Sequence, residues 1–240
     1  MARKSRRAGL RVRLKKFPRR IALWFAAAVA AAVMVSSGQV FFASFVNPPF
    51  TVTMLGEWIG GEPFPWPGLR AAWRPLDRIS PELRLAVLAA EDQRFLDHRG
   101  FDMAEIKSAI RDAVSGGVLR GASTITMQTA RTLFLTTART FWRKGAEAWY
   151  TLLIELMWRK PRIFEVYLNT VDWGPAGRGA ERAARYYFNT SAANLTRRQA
   201  ALLAAVLPSP HRWSPVSPDD ALLRRQQRIL SQMNMMPLVY

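Results

Sequence analysis

Residues 80–100, SPELRLAVLAAEDQRFLDHRG, decide how the rest of the chain is read. Ser80 has the character of a helix N-cap, with Pro81 at the first helical position. Leu83, Val87 and Ala90 then recur on one face, which predicts a helix. That helix ends in the paired carboxylates Glu91 and Asp92, where the chain turns through Phe95 toward Gly100. A carboxylate at a helix C-terminus lacks support from the helix dipole, and partial burial raises its pKa. A general base working near neutral pH needs that environment. The competing reading makes both acids surface partners of Arg94, Arg99 or Lys107, since paired structural carboxylates are common.

Two more polar blocks follow. Gly121-Ala122-Ser123-Thr124-Ile125-Thr126-Met127-Gln128 opens a helix expected to run from Thr124 toward Leu135. Its hydroxyls and free backbone N–H groups suit an anion, although Ser and Thr cap many helices that bind nothing. Gln128 shares a face with Thr124, and Arg131 adds a cation one turn on. The third block, Arg143-Lys144-Gly145-Ala146-Glu147, contains i,i+4 and i,i+3 ion pairs. With Arg139 and Arg159 on the same helix it reads either as a helix-surface charge network or as a cationic wall for pyrophosphate. His98 is one of two histidines, the other being His211. Zinc wants at least three spaced ligands, so His98 reads as an orienting residue that hydrogen-bonds a neighbouring acid or carbonyl. Ser123 lacks the G-x-S-x-G context of a nucleophile.

The surrounding pattern is helical. Asp102 with Glu105 forms a capping-box pattern ahead of Ile106 and Ile110, and Gly116-Gly117 breaks that helix. Thr140 to Arg159 reads as a long helix burying Trp149, Leu152, Leu153, Leu156 and Met157, closed by Pro161. Shorter helices are expected at 162–169, 179–188 and 196–207, the last with a Thr196/Gln199 capping box, and a final helix at 219–235. Residues 47–79 form a connector rich in Gly60-Gly61, Pro63, Pro65, Pro67 and Pro75, with one short strand at Thr51–Leu55. Its Trp58, Trp66 and Trp73 suit either the lipid headgroup level or the cover of a core. Residues 80–240 make a mostly α domain.

Charge is uneven. Residues 1–20 hold ten Lys or Arg and no acid, leaving 25 basic against 17 acidic side chains, a net of +8, in the rest. A basic body points to an anionic partner: a phosphate-bearing substrate, anionic lipid or nucleic acid. Half of the residues are hydrophobic, so a folded core is expected, and there are no cysteines. Residues 21–46 carry no charge and as a helix would reach about 39 Å, enough to cross a bilayer. The basic flank at 1–20 is the kind kept on the cytoplasmic side, so the body should face outward. A cleaved signal peptide is the rival, but the apolar run continues through Phe41, Phe42 and Phe45 beyond a normal signal core.

Taken in order, the three blocks resemble the signature of the peptidoglycan glycosyltransferases, glycosyltransferase family 51. E-D-x-x-F-x-x-H-x-G is matched at Glu91, Asp92, Phe95, His98 and Gly100. G-x-S-T-I-T-x-Q is matched at Gly121, Ser123, Thr124, Ile125, Thr126 and Gln128, and R-K-x-x-E at Arg143, Lys144 and Glu147. A fourth element is matched in part by residues 160–169, and residues 200–208 fit the last helix of the family. The family usually has Gln where this chain has Met127, and commonly Lys-Asn where it has Arg131-Thr132. The chain carries no S-x-x-K, S-x-N or K-T-G, the marks of a transpeptidase, so the resemblance is to the monofunctional branch.

The resemblance implies a mostly α, lysozyme-like glycosyltransferase domain with a small membrane-associated lobe, preceded by one transmembrane helix. Residues 103–122, with Ile106, Ile110, Val114, Val118 and Leu119, are the candidate lobe. It implies polymerisation of lipid II into β-1,4-linked glycan strands with inversion and release of undecaprenyl diphosphate. Glu91 and Glu147 are the implied catalytic residues. Asp92, Ser123, Thr124, Gln128, Arg131, Arg143 and Lys144 are implied to bind substrate, and His98 to orient. No organic cofactor is implied; a divalent cation such as Mg2+, with Glu147 as its candidate ligand, is an alternative stabiliser of the diphosphate. Implied partners are lipid II, the growing lipid-linked strand, membrane lipids and other cell-wall synthesis proteins, with no nucleic acid. The implied location is the bacterial inner membrane, N-terminus cytoplasmic and catalytic domain periplasmic. A lysozyme-like lytic enzyme is the first rival, and a membrane-anchored binder of anionic polymer the second; a binder has no need of the acid positions.

Overall fold

A computed structural model describes residues 19–63, 68–116, 123–136 and 140–240. The expectations placed on the basic tail before residue 19, on Pro65, Trp66 and Pro67, on Gly117, Val118 and Leu119, on Gly121 and Ala122, and on Arg139 lie outside the described residues.

The described residues form α-helices and short 3-10 turns, with no strand. The chain divides into two units, Met1–Gly38 and Gln39–Tyr240. The first helix, α1 (Arg19–Phe45), runs through both. Its stretch Ile21–Phe45 is long and apolar enough to cross a membrane, and no other helix among the described residues is. In the first unit the side chains of Leu23, Trp24, Phe25 and Met34 are exposed, as a lipid-facing helix requires.

The second unit begins with the end of α1, which is held by specific bonds. Trp158 Nε1 donates to the Val40 carbonyl at 2.9 Å, and Tyr150 Oη to Gln39 Oε1 at 2.7 Å. Arg162 donates to the carbonyls of Ala43 and Val46 and to Asn47 Oδ1. The Arg162 bonds to Ala43 and Val46 satisfy carbonyls at the helix end that have no partner within the helix.

The strand expected at Thr51–Leu55 is instead the start of α2 (Val52–Ile59). Its β-branched residues are used for capping and tethering. Thr51 Oγ1 accepts the Met54 amide at 3.1 Å, and the Thr53 hydroxyl donates to the Thr132 and Leu135 carbonyls. Further along the connector, Leu69, Trp73, Leu76 and Ile79 are buried in the core of the body. The fourth sequence element makes this attachment. Glu165 accepts Trp73 Nε1 at 3.2 Å and the Leu76 amide at 3.1 Å, and Asn169 bonds both the amide and the carbonyl of Arg74. Trp73 is thus a core residue, while Trp58 is partly exposed.

Helix α3 (Pro81–Glu91) starts at the Ser80 cap, whose hydroxyl accepts the Glu82 amide. Then come α4 (Met103–Val114), α5 (Ile125–Phe134), α6 (Phe141–Met157), α7 (Lys160–Thr170), α8 (Ala180–Phe188), α9 (Arg197–Val206) and α10 (Asp220–Met233). The Thr196/Gln199 capping box is formed as expected. Helix α3 packs on α9 and α10, and α5 packs on α6 and α7. Ala200, Ala201, Ala204 and Ala205 on α9 are fully buried, small enough for close helix approach. Helix α7 is buried over most of its surface, through Ile163, Phe164 and residues 166–170. Pro161 opens α7 rather than closing α6, since its missing N–H costs nothing in a first turn.

The buried face of α6 also differs from expectation. Trp149, Leu152, Leu156 and Met157 are exposed, at 37, 45, 71 and 39 %; Leu153 is buried as expected, and Glu147, Thr151 and Ile154 are buried with it. Thr151 on this helix packs against the segment around Gly100 described below. On α4, Ile110 and Val114 are exposed.

Candidate active site

Glu91 is the last residue of α3, and Asp92 leaves the helix with φ −162° and ψ 79°. The chain then turns over Phe95, which is fully buried against Phe164 with the ammonium of Lys160 4.5 Å from its ring centre. At Gly100 the backbone takes φ +83°, and a β-carbon there would lie 2.7 Å from Thr151 Cγ2. Only glycine fits both the conformation and the approach of α6.

This turn is clamped to α5. The Thr124 hydroxyl donates to the Gly100 carbonyl at 2.6 Å and accepts the Met127 amide at 3.2 Å. Asp92 accepts the Ile125 amide at 3.0 Å and His98 Nε2 at 2.9 and 3.1 Å on its two oxygens. His98 thus hydrogen-bonds a neighbouring acid. Asp92 and Thr124 are both buried, and the oxygens expected to meet substrate are engaged by protein donors.

The first two blocks meet at a cleft of about 410 Å3 lined by Glu91, Asp92, Arg94, Glu105, Ser123 and Thr124, among others. Gln128 Nε2 donates to Glu91 Oε2 at 3.0 Å, and the buried Tyr167 hydroxyl donates to Gln128 Oε1 at 3.4 Å, which sets the amide's orientation. Burial pushes the Glu91 carboxyl above its ordinary value, against the pull of the Gln128 bond and the Arg225 charge. Arg131 lies exposed one turn beyond Gln128, and its charge also acts on Glu91. A carboxylate with a raised pKa, one oxygen without a hydrogen bond among the described residues and access to a polar cleft has the properties of a general base. Beside it, Arg94 pairs with Asp102, which also caps α4.

The third block forms a separate cluster at the start of α6. Glu147 is 1 % exposed and takes Arg143 Nη1 at 2.6 Å on one oxygen and Lys144 Nζ at 2.5 Å on the other. Lys144 keeps about half of its side chain in solvent. Both Glu147 oxygens are committed to cations, so the carboxylate is poorly suited to ligate a further divalent one. Arg159 lies beyond α6 as the N-cap of α7, so it does not extend this wall.

Sequence reading missed three participants. Arg225 of α10 stands 3.7 Å from Glu91 Oε1. Tyr167 backs Gln128 from α7. Glu155 accepts the Thr126 hydroxyl at 2.6 Å and pairs with Lys160 at 2.8 Å, tying α5 to α6 and α7. None has a local signal, since each acts across elements distant in sequence. Met127 is buried, so the polar side chain usual at that position is replaced by one suited to the interior.

The sequence is similar to known proteins along most of its length. A family model described as transglycosylase matches residues 66–234. A biosynthetic peptidoglycan transglycosylase of Pseudomonas fluorescens is 44 % identical over 229 residues, covering 94 % of this chain and 91 % of the relative. Proteins of the same name from Pseudomonas putida and Pseudomonas syringae are 46 % and 45 % identical, over 90 % and 88 % of this chain and 89 % and 87 % of theirs. The chain belongs to the transglycosylase family, with its mostly α, lysozyme-like domain.

Proposed function

We propose that this peptidoglycan glycosyltransferase elongates glycan strands from lipid II, with Glu91 as the base. The observation that carries the proposal is the Glu91 carboxyl itself. It sits in the cleft at the unsupported end of α3, raised by burial and held by one amide.

Glu91 takes the proton from the 4-hydroxyl of the acceptor sugar as that oxygen bonds to C1 of the donor. The C1–phosphate bond breaks with inversion, and undecaprenyl diphosphate departs as an anion. No acid is needed for such a leaving group, unlike glycoside hydrolysis, where a second carboxyl protonates the departing oxygen. Arg131, Arg143 and Lys144 supply positive charge for the diphosphate. Glu147 aims the last two, and Asp92, His98 and Thr124 hold the cleft wall around Ser123. Each Glu147 oxygen already meets a cation, so this reading gives the carboxylate no metal to hold.

The apolar α1 fits a single-pass membrane anchor. The basic residues before it support a cytoplasmic N-terminus and a periplasmic catalytic domain on the inner membrane. A lipid-linked substrate gives the reason for anchoring. The growing lipid-linked strand and membrane lipids are the accompanying partners, with other cell-wall synthesis proteins as candidates.

Polymerisation of labelled lipid II by the purified full chain, with and without Mg2+, tests the reading. Polymer should form, and Glu91→Gln should abolish it. Digestion of preformed glycan instead would make the protein a lytic enzyme, and survival of most activity in Glu91→Gln would remove Glu91 from its role.

A further inference from the structure

The last helix supplies a group that the reaction above leaves unused. Arg225, midway along α10, places its guanidinium over the C-terminal ends of two other helices. Nε donates to the Ala205 carbonyl in the last turn of α9 at 3.1 Å. Nη2 reaches the Ala90 carbonyl in the last turn of α3 at 3.5 Å. Carbonyls there lack intrahelical partners and carry the negative end of the helix dipole, so a cation is favoured. A rigid planar fork bridges two helix ends as a flexible ammonium does not.

The same Nη2 stands 3.7 Å from Glu91 Oε1, while Oε2 takes the Gln128 amide. The carboxylate is thus held from both sides, by α5 and by α10. We propose that Arg225 is a positioning residue for glycosyl transfer: it fixes the Glu91 carboxylate and favours its ionised form without occupying Oε1, making the C-terminal helix part of the active-site apparatus. The inference rests on Glu91 being the base.

The separation matters. A close two-pronged Arg–carboxylate pair would take the oxygen that must receive the proton and depress its basicity. At 3.7 Å the charge acts while the oxygen remains available. The other groups facing Glu91 are few among the described residues. Asp92, next in the chain, opposes ionisation, and Arg131 from α5 favours it. The Tyr167 phenol from α7, pushed well above its ordinary value by burial, stays neutral. Arg228, one turn along α10, acts on Arg225 itself. Burial is the largest influence on Glu91 and acts against its charge, so loss of Arg225 leaves the base harder to ionise.

The test is the pH dependence of lipid II polymerisation by the full chain carrying Arg225→Gln or Arg225→Lys, with the exposed neighbour Arg224→Met as control. Gln keeps a donor for the helix-end carbonyls but removes the charge; Lys keeps the charge but loses the fork. The Arg225 side chain is 28 % exposed, which gives either replacement room. The acidic limb in Arg225→Gln should move to higher pH, with about tenfold more activity lost on the limb than on the plateau. Arg225→Lys should keep the limb in place, and Arg224→Met should leave the profile unchanged. A limb unmoved in Arg225→Gln, even with a lowered melting temperature or plateau, overturns the proposal and leaves Arg225 as a helix-end tie. A wild-type profile with no acidic limb overturns the assignment of Glu91, and this inference with it.

Discussion

Replacing Gly100 by Ala tests whether the contact between the turn after α3 and α6 is as tight as the structure shows. The residue sits at φ +83°, and a new methyl group would lie 2.7 Å from Thr151 Cγ2 and 3.0 Å from Glu155 Cγ. Placing an L side chain in the left-handed region costs roughly 1–2 kcal/mol. Forcing a methyl group into a packed interior costs about 1–3 kcal/mol more. The sum, about 2–5 kcal/mol, corresponds to a fall in melting temperature of roughly 4–20 °C for a chain of this size. The Gly100 carbonyl also accepts the Thr124 hydroxyl, so a shifted turn drags the start of α5 and the Asp92–Ile125 bond with it. Thermal unfolding of the detergent-solubilised chain measures the loss, and Thr151→Ser isolates its steric part. That change deletes Cγ2 but keeps the hydroxyl that donates to the Glu147 carbonyl at 2.7 Å. The double variant should recover on the order of 1 kcal/mol, a coupling typical of residues in contact. If Gly100→Ala changes stability by less than about 0.5 kcal/mol, the level of ordinary surface substitutions, the packing argument is wrong. It is equally wrong if Thr151→Ser recovers nothing.

Glu91→Gln should leave stability at neutral pH unchanged or raised while polymerisation is lost. The folded-state pKa is raised, so Glu91 stabilises the fold below its unfolded pKa, and that contribution disappears as pH rises through the folded value. A melting temperature clearly below wild type at neutral pH would contradict this. Asp92→Asn should cost about 1–3 kcal/mol, because a buried acceptor serving His98 and the Ile125 amide becomes half donor. His98→Ala should add little to it in a double-variant cycle, and full additivity would show the two to be independent. Thr126→Val removes one of the partners of Glu155 and should cost roughly 1 kcal/mol in denaturant unfolding, with no change in the pH profile of activity.

The helices were legible because their signals are local. Ser80, Asp102, Thr124, Thr140 and Thr196 all act as N-caps where their sequence context indicates. The reading failed where a residue serves something distant. Thr51 and Thr53 look like strand residues until the α5 carbonyls that Thr53 tethers are known. The α6 face was misread because hydropathy points inward at Leu152 and Leu156, while the neighbouring turn demands the small Thr151 at the contact with Gly100. The carboxylate–amide pair Glu91–Gln128 joins two recognisable blocks. Arg225 was invisible, since a basic residue on an exposed-looking helix carries no mark of the two helix ends above which it will lie.

The separation of charges in the site follows from what each group must do. Inverting transfer from a diphosphate needs cations for the leaving group and a carboxylate able to take a proton, and these demands conflict if the groups touch. A guanidinium or ammonium bonded directly to Glu91 would favour its ionised form so strongly that it could no longer act as a base near neutral pH. The chain avoids this by giving Arg143 and Lys144 their own buried carboxylate. Glu147 holds both on α6, and among the described contacts neither bonds Glu91. Glu91 is left with an uncharged amide, a cation kept at 3.7 Å, and burial as the dominant influence. On the proposed reading, Glu147 is a device for stationing positive charge. Glu147→Gln should then weaken donor-side chemistry by releasing two cations while leaving the acidic limb set by Glu91 in place, and a limb displaced by that change would show that the two clusters act as one.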